Sequence, residues 1–95
     1  MELSDNQKEV CRRAVDKFGR RWQIGKVAEE LRELAAELDL ARIGESSLER
    51  IIDERADVAI VLYQLDEIIL PGVAAQVQYR IPVKIKKLQG YMGEV

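Results

Sequence analysis

Arg21-Trp22-Gln23-Ile24-Gly25-Lys26-Val27-Ala28-Glu29-Glu30-Leu31-Arg32-Glu33-Leu34-Ala35-Ala36-Glu37-Leu38-Asp39-Leu40 is the stretch whose pattern decides the fold. Ile24, Val27, Leu31, Leu34 and Leu38 recur in alternating steps of three and four, which places them on one apolar seam of a long α-helix. Working upstream, Ser4 with Gln7 forms a capping-box signature and Gly19 is a stop signal, so a helix is predicted over about Asp5 to Phe18. Val10, Ala14, Val15 and Phe18 supply its apolar positions.

Downstream, Leu40 to Ser47 carries the Gly and Ser of a connection, and Ser46 with Glu49 reads as a second capping box. A third helix is predicted from about Ser47 to Leu70, ended by Pro71-Gly72. Its second half, from Val58, is apolar on most faces and is expected to be buried nearly all round. A chain of 95 residues cannot easily surround such a helix. A homo-oligomer, dimer or tetramer, is therefore expected. In the last segment Val73, Val77, Ile81, Ile85, Leu88 and Met92 keep a helical step through Pro82, which predicts either a kink or a break into two short helices. The expected fold is all-α: one domain over residues 1–95, a four-helix bundle completed by homo-oligomerisation.

Composition narrows the function. Hydrophobic residues are 47% and charged residues 34%, which suits a folded helical protein. A net charge of -2 and 5% aromatics give neither a basic field for a nucleic-acid backbone nor stacking platforms for single strands. Nucleic-acid binding is not expected. Cys11 is the only cysteine, the start of the chain is polar and acidic, and no apolar run reaches about 18 residues. A cytoplasmic protein with no membrane association is expected, with Cys11 as a small buried residue. Histidine is absent, which removes Ser-His-Asp triads, His-activated thiols and His-ligated zinc.

What remains is carboxylate chemistry. Glu30 and Glu33 lie three apart on the second helix, one turn apart and beside the apolar seam. Glu54 and Asp57 repeat the spacing on the third. If the helices pack antiparallel, the two pairs face one another. Four converging carboxylates in a partly dry cleft cannot all stay ionised without a cation, and Mg²⁺ or Mn²⁺ prefers such oxygen ligands. Like-charge ladders, Glu29-Glu33-Glu37 and Asp53-Asp57, point the same way, since each such pair costs about 0.2–0.5 kcal/mol on a lone helix. An isolated E-E-x-x-E is common on solvated helices. The combination with E-x-x-D on the next helix is far more specific.

Glu29-Glu30-Leu31-Arg32-Glu33 followed by Glu54-Arg55-Ala56-Asp57, with Trp22-Gln23 upstream and an apolar helix after Asp57, resembles the MazG-like all-α nucleoside triphosphate pyrophosphohydrolases. The likeness covers about Phe18 to Leu70. It implies Mg²⁺-dependent hydrolysis between the α and β phosphates, giving a monophosphate and pyrophosphate. It also implies that Glu30, Glu33, Glu54 and Asp57 ligate the metal, with Glu29 a supporting carboxylate. Larger members carry downstream Lys, Asn and Arg residues that contact the nucleotide, whereas the only asparagine here is Asn6.

Basic residues are expected to meet the polyphosphate: Lys26, and Lys84 or Lys87 from the tail. Solvated surface lysine is the competing reading for each. Trp22 reads as a base-stacking residue or as a core or interface tryptophan, and Gln23 as a possible reader of a base edge. Two further readings stand beside this one. One is a dUTP/dCTP- or phosphoribosyl-ATP-specific enzyme with the same carboxylates. The other is a helical oligomerisation module without activity.

Overall fold

The computed structural model describes residues 2–94. It is all-helical: α1 (Asp5–Phe18), α2 (Arg20–Arg42), α3 (Leu48–Gln64), one turn of π-helix (Leu65–Ile69) and α4 (Val73–Tyr91). The Ser4–Gln7 capping box is formed in both directions, satisfying two otherwise free donors at the start of α1. Gly19, at φ 88°, turns the chain directly into α2 in a conformation that costs a side-chain-bearing residue far more. The cap of α3 differs from expectation. Ser47, not Ser46, accepts from the Arg50 amide, and the Ser46 hydroxyl is spent on Glu37.

The third helical segment ends where Pro71-Gly72 requires, but its last turn is wide. Leu65–Ile69 forms a π turn, and Arg20 reaches across from α2 to donate to the Ile68 and Ile69 carbonyls. That contact satisfies carbonyls left without amide partners at a helix end. Gly72, at φ 92°, then starts α4. Pro82 lies inside α4, which runs unbroken from Val73 to Tyr91, so the two-helix alternative is set aside.

The core is small: Cys11, Val15, Val27, Val58, Val61 and Ile69 are the buried apolar residues, and burial raises the Cys11 thiol pKa. Two expectations about burial need correction. Of the seam on α2, only Val27 is buried, while Ile24, Leu31 and Leu38 are exposed. The face turned toward α3 instead carries Gln23, Val27, Glu30 and Glu37. Over the predicted third helix, Val58, Val61 and Gln64 of α3 and Ile69 of the π turn are buried, but Ile60 and, past the turn, Leu70 remain exposed in the single chain. Helix α4 packs only against the π turn and buries none of its residues. The radius of gyration, 16.1 Å, exceeds the roughly 12 Å of a compact chain of this length for that reason. Among the described residues, no single helix is long and apolar enough to cross a membrane.

Candidate metal centre

Helices α2 and α3 form an antiparallel hairpin whose facing polar residues keep one register. Gln23 meets Gln64, Glu30 meets Asp57, Glu33 meets Glu54, and Glu37 meets Arg50. The residue numbers of each pair add to 87, so the pairing is continuous over the hairpin. The two middle pairs are the carboxylates that the spacing singled out. One ligand oxygen from each of Glu30, Glu33, Glu54 and Asp57 lies within 4.8 Å of the others, a group able to hold a metal ion.

The end pairs act as clamps. At one end the Gln23 amide donates to Gln64 Oε1 at 2.5 Å, and Gln64 Nε2 donates to the Cys11 carbonyl, which ties α1, α2 and α3 together. At the other end Arg50 Nε lies 2.7 Å from Glu37 Oε1, and Ser46 Oγ donates to the same oxygen at 2.6 Å. The first clamp is buried and the second part-buried, and a slip at either would leave polar groups unpaired. Sequence reasoning missed Glu37, Ser46 and Arg50 as organising residues. Their signal was the ladder Glu29-Glu33-Glu37, whose last member has its countercharge 13 residues away across the connection.

The electrostatics of the centre are those of crowded carboxylates. Glu30 is only 9% exposed, and its Oε2 is buried without a partner, as is Oε2 of Glu54. Lys26 Nζ approaches Glu30 Oε1 at 3.7 Å and Glu29 Oε2 at 3.3 Å, covering the rim but not those two oxygens. Burial, then the charges of Glu33 and Asp57, push the Glu30 carboxyl above its ordinary 4.5, with Lys26 pulling the other way. Glu54 is raised by the same causes. A carboxyl raised in the folded state holds its proton more tightly there than in the unfolded chain. The contribution of these two carboxyls to stability is therefore full below about 4.5 and falls as pH rises from there through the raised folded value. Without divalent ions, the thermal midpoint is expected to be lower at about pH 8 than at about pH 5. Glu30→Gln is expected to flatten that dependence, and melting curves in chelator test both.

Beside the carboxylates lies a cleft of about 230 Å³, lined among others by Trp22, Gln23, Lys26, Glu30, Asp57 and Gln64. It brings together three of the five residues expected to meet a substrate. Trp22 is half-exposed and stacks on Phe18 with ring centroids 4.5 Å apart. Gln23 is buried, with its amide committed to Gln64, and so stands in the wall. Lys84 and Lys87 are not brought to the site within the chain. They sit exposed on α4, which touches neither α2 nor α3, and Lys87 lies over the Tyr91 ring.

No known protein family, curated protein or solved structure matches this chain.

Proposed function

We propose that this chain is a Mg²⁺-dependent nucleoside triphosphate pyrophosphohydrolase of the MazG-like kind, cleaving between the α and β phosphates to leave a monophosphate and pyrophosphate. The observation that carries the reading is the pair of facing carboxylate pairs with orphaned oxygens on Glu30 and Glu54, set beside a cleft edged by Trp22. An all-carboxylate donor set suits Mg²⁺, with Mn²⁺ an alternative, and Glu30, Glu33, Glu54 and Asp57 are the residues that would hold it. Held there, the ion would supply charge to neutralise phosphate oxygens and would lower the pKa of the attacking water.

The chain's own groups then have limited work, because phosphoryl transfer depends mainly on positioning and charge stabilisation. Glu29, 3.3 Å from Lys26 and more exposed than Glu30, orients the attacking water or receives its proton. Lys26 faces the polyphosphate at the rim. The Phe18–Trp22 stack offers an aromatic face for a base. The cleft is smaller than the roughly 300 Å³ of a complete small-molecule pocket, so a bound triphosphate extends beyond it. We also read the chain as a homo-oligomer, because α4 and the outer Ile24, Leu31 and Leu38 of α2 are left uncovered.

The test is a panel of canonical and modified triphosphates, with dUTP, dCTP and phosphoribosyl-ATP included. Release of pyrophosphate and monophosphate is followed with and without Mg²⁺. At least one substrate is expected to give equimolar pyrophosphate and monophosphate only when the cation is present. Absence of pyrophosphate across the panel, with Mg²⁺ or Mn²⁺ and a folded protein, would overturn the enzyme reading in favour of an inactive oligomerisation module.

A further inference from the structure

The two buried glutamines that line the cleft belong to a chain of hydrogen bonds with a fixed direction. It starts at the Cys11 carbonyl on α1, a backbone group that can only accept. Gln64 must therefore turn its nitrogen to Cys11, and its Nε2 donates there at 3.3 Å. That leaves Gln64 Oε1 toward α2, so Gln23 in turn presents its own nitrogen and donates at 2.5 Å. A carboxamide has a donor end and an acceptor end, and its surroundings decide which way it points. Here one distant carbonyl decides for both side chains. Gln23 and Gln64 are each 3% exposed, so neither has bulk water to turn toward instead.

That direction has an outcome at the cleft. With its nitrogen spent on Gln64, Gln23 is left with Oε1, which has no hydrogen-bond partner among the described residues. Unlike the orphaned oxygens of Glu30 and Glu54, it is not sealed from solvent. Along the hairpin, Trp22, Gln23 and Gln64 lie at one end of the cleft, and Glu30 and Asp57 at the other. Lys26 leans toward the carboxylate end, where Glu30 and Glu29 hold it. The tryptophan end is walled by Ala14, Phe18 and Val61. It offers a flat aromatic face and one acceptor whose orientation is set from α1.

We propose that Gln23 Oε1 reads the base of the bound nucleotide and selects one that donates from an exocyclic amino group, cytosine or adenine, over its keto counterpart, uracil or hypoxanthine. An amino N–H placed against this oxygen makes a hydrogen bond. A keto oxygen in the same place sets two acceptors against each other in an apolar cleft and satisfies neither. A carboxamide free to turn over would offer its own N–H2 to the keto base and lose the distinction. The Cys11 carbonyl, acting through Gln64, prevents that turn. Gln23 is thus the residue that sets specificity, and Gln64 is a positioning residue. The base preference presupposes the nucleotide reading of the cleft proposed above, and neither the metal nor the cleavage step.

Trp22 is the only tryptophan of the chain, so its fluorescence reports occupation of the cleft it lines. The full chain is titrated in Mg²⁺ with dCMP against dUMP and with dAMP against dIMP. These pairs exchange an amino group for a keto oxygen and hold no bond for the proposed reaction to cleave. The wild type is expected to bind the amino member of each pair at least about 10-fold more tightly, the scale of one hydrogen bond made against one acceptor left unpaired. Gln64→Met, which frees the Gln23 carboxamide to turn, is expected to bring the members of each pair to near-equal affinity with the helical circular dichroism retained. Gln23→Met is expected to do the same. A purely structural loss would weaken all four ligands together and leave the ratio where it was. Wild-type affinities that are equal within the pairs, or that favour the keto members, overturn the proposal whether or not a variant folds. So does a fluorescence that none of the four changes, and a folded Gln64→Met chain that keeps the full preference overturns the relay. Pyrophosphate release is followed separately. Triphosphate hydrolysis without this preference leaves the enzyme reading standing, and the preference without hydrolysis leaves this one.

Discussion

Glu33→Gln and Asp57→Asn are expected to lower Mg²⁺-dependent pyrophosphate release by about 10²–10³-fold or more, the scale of removing one preorganised electrostatic group from a reacting centre. In the same proteins, stripped of divalent ions, thermal stability is expected to stay level or rise. Glu33 stands between Glu30 and Glu54, and Asp57 adds to the charge on both, so neutralising either relieves repulsion that pushes the neighbouring carboxyls toward protonation. The two effects separate a metal centre from a merely acidic surface. Adding Mg²⁺ is expected to raise the melting temperature of the wild type, because a ligand that binds only the folded state stabilises it by mass action. It is expected to do little for the variants. An equal response to Mg²⁺ in all three proteins would remove the assignment of these ligands.

Ile69→Ala is expected to destabilise the chain by about 2–5 kcal/mol in urea unfolding, the usual range for truncating a buried isoleucine that leaves a cavity. Ile69 is 2% exposed and is the largest fully buried side chain of a core otherwise made of valines and a cysteine. Its carbonyl takes the Arg20 clasp, so side chain and backbone both anchor the π turn from which α4 departs. A loss of that size is a large share of the roughly 5–15 kcal/mol that holds a small domain together. A change below about 1 kcal/mol would mean that the turn is held by something other than this packing.

The sequence made the hairpin and its four carboxylates readable because two signals agree: i, i+3 acidic pairs on consecutive helices, and a spacing that lets antiparallel packing bring them together. The same sequence misled on the face of α2. Ile24, Leu31 and Leu38 repeat at seven, the spacing expected of a buried stripe, yet the side turned to α3 is the one bearing Gln23, Glu30 and Glu37. A helix that must present carboxylates to its neighbour gives up apolar area on that side and keeps it elsewhere, so periodicity alone points to the wrong face. The Glu37–Arg50 clamp was hidden because its members are distant in sequence and look like ordinary surface charges. The π turn leaves no pattern of its own; it lies between α3 and the Pro71-Gly72 stop, with Arg20 donating to its last carbonyls. Pro82 was ambiguous because a proline removes one hydrogen bond whether the helix then continues or stops.

The constant register of α2 on α3 bears on the order of assembly during folding. Every residue of the carboxylate centre, and both polar clamps around it except the Cys11 carbonyl, comes from one helical hairpin between Gln23 and Gln64. Contacts between neighbours in sequence close with little loss of chain entropy and form early, whereas those that wait for a distant segment form late. The centre is thus complete once a single turn between adjacent helices has closed, before α4 has found any surface to rest on. A nascent chain would hold the four carboxylates together while the tail is still being made, and the proposed association with another copy would be a separate, concentration-dependent step.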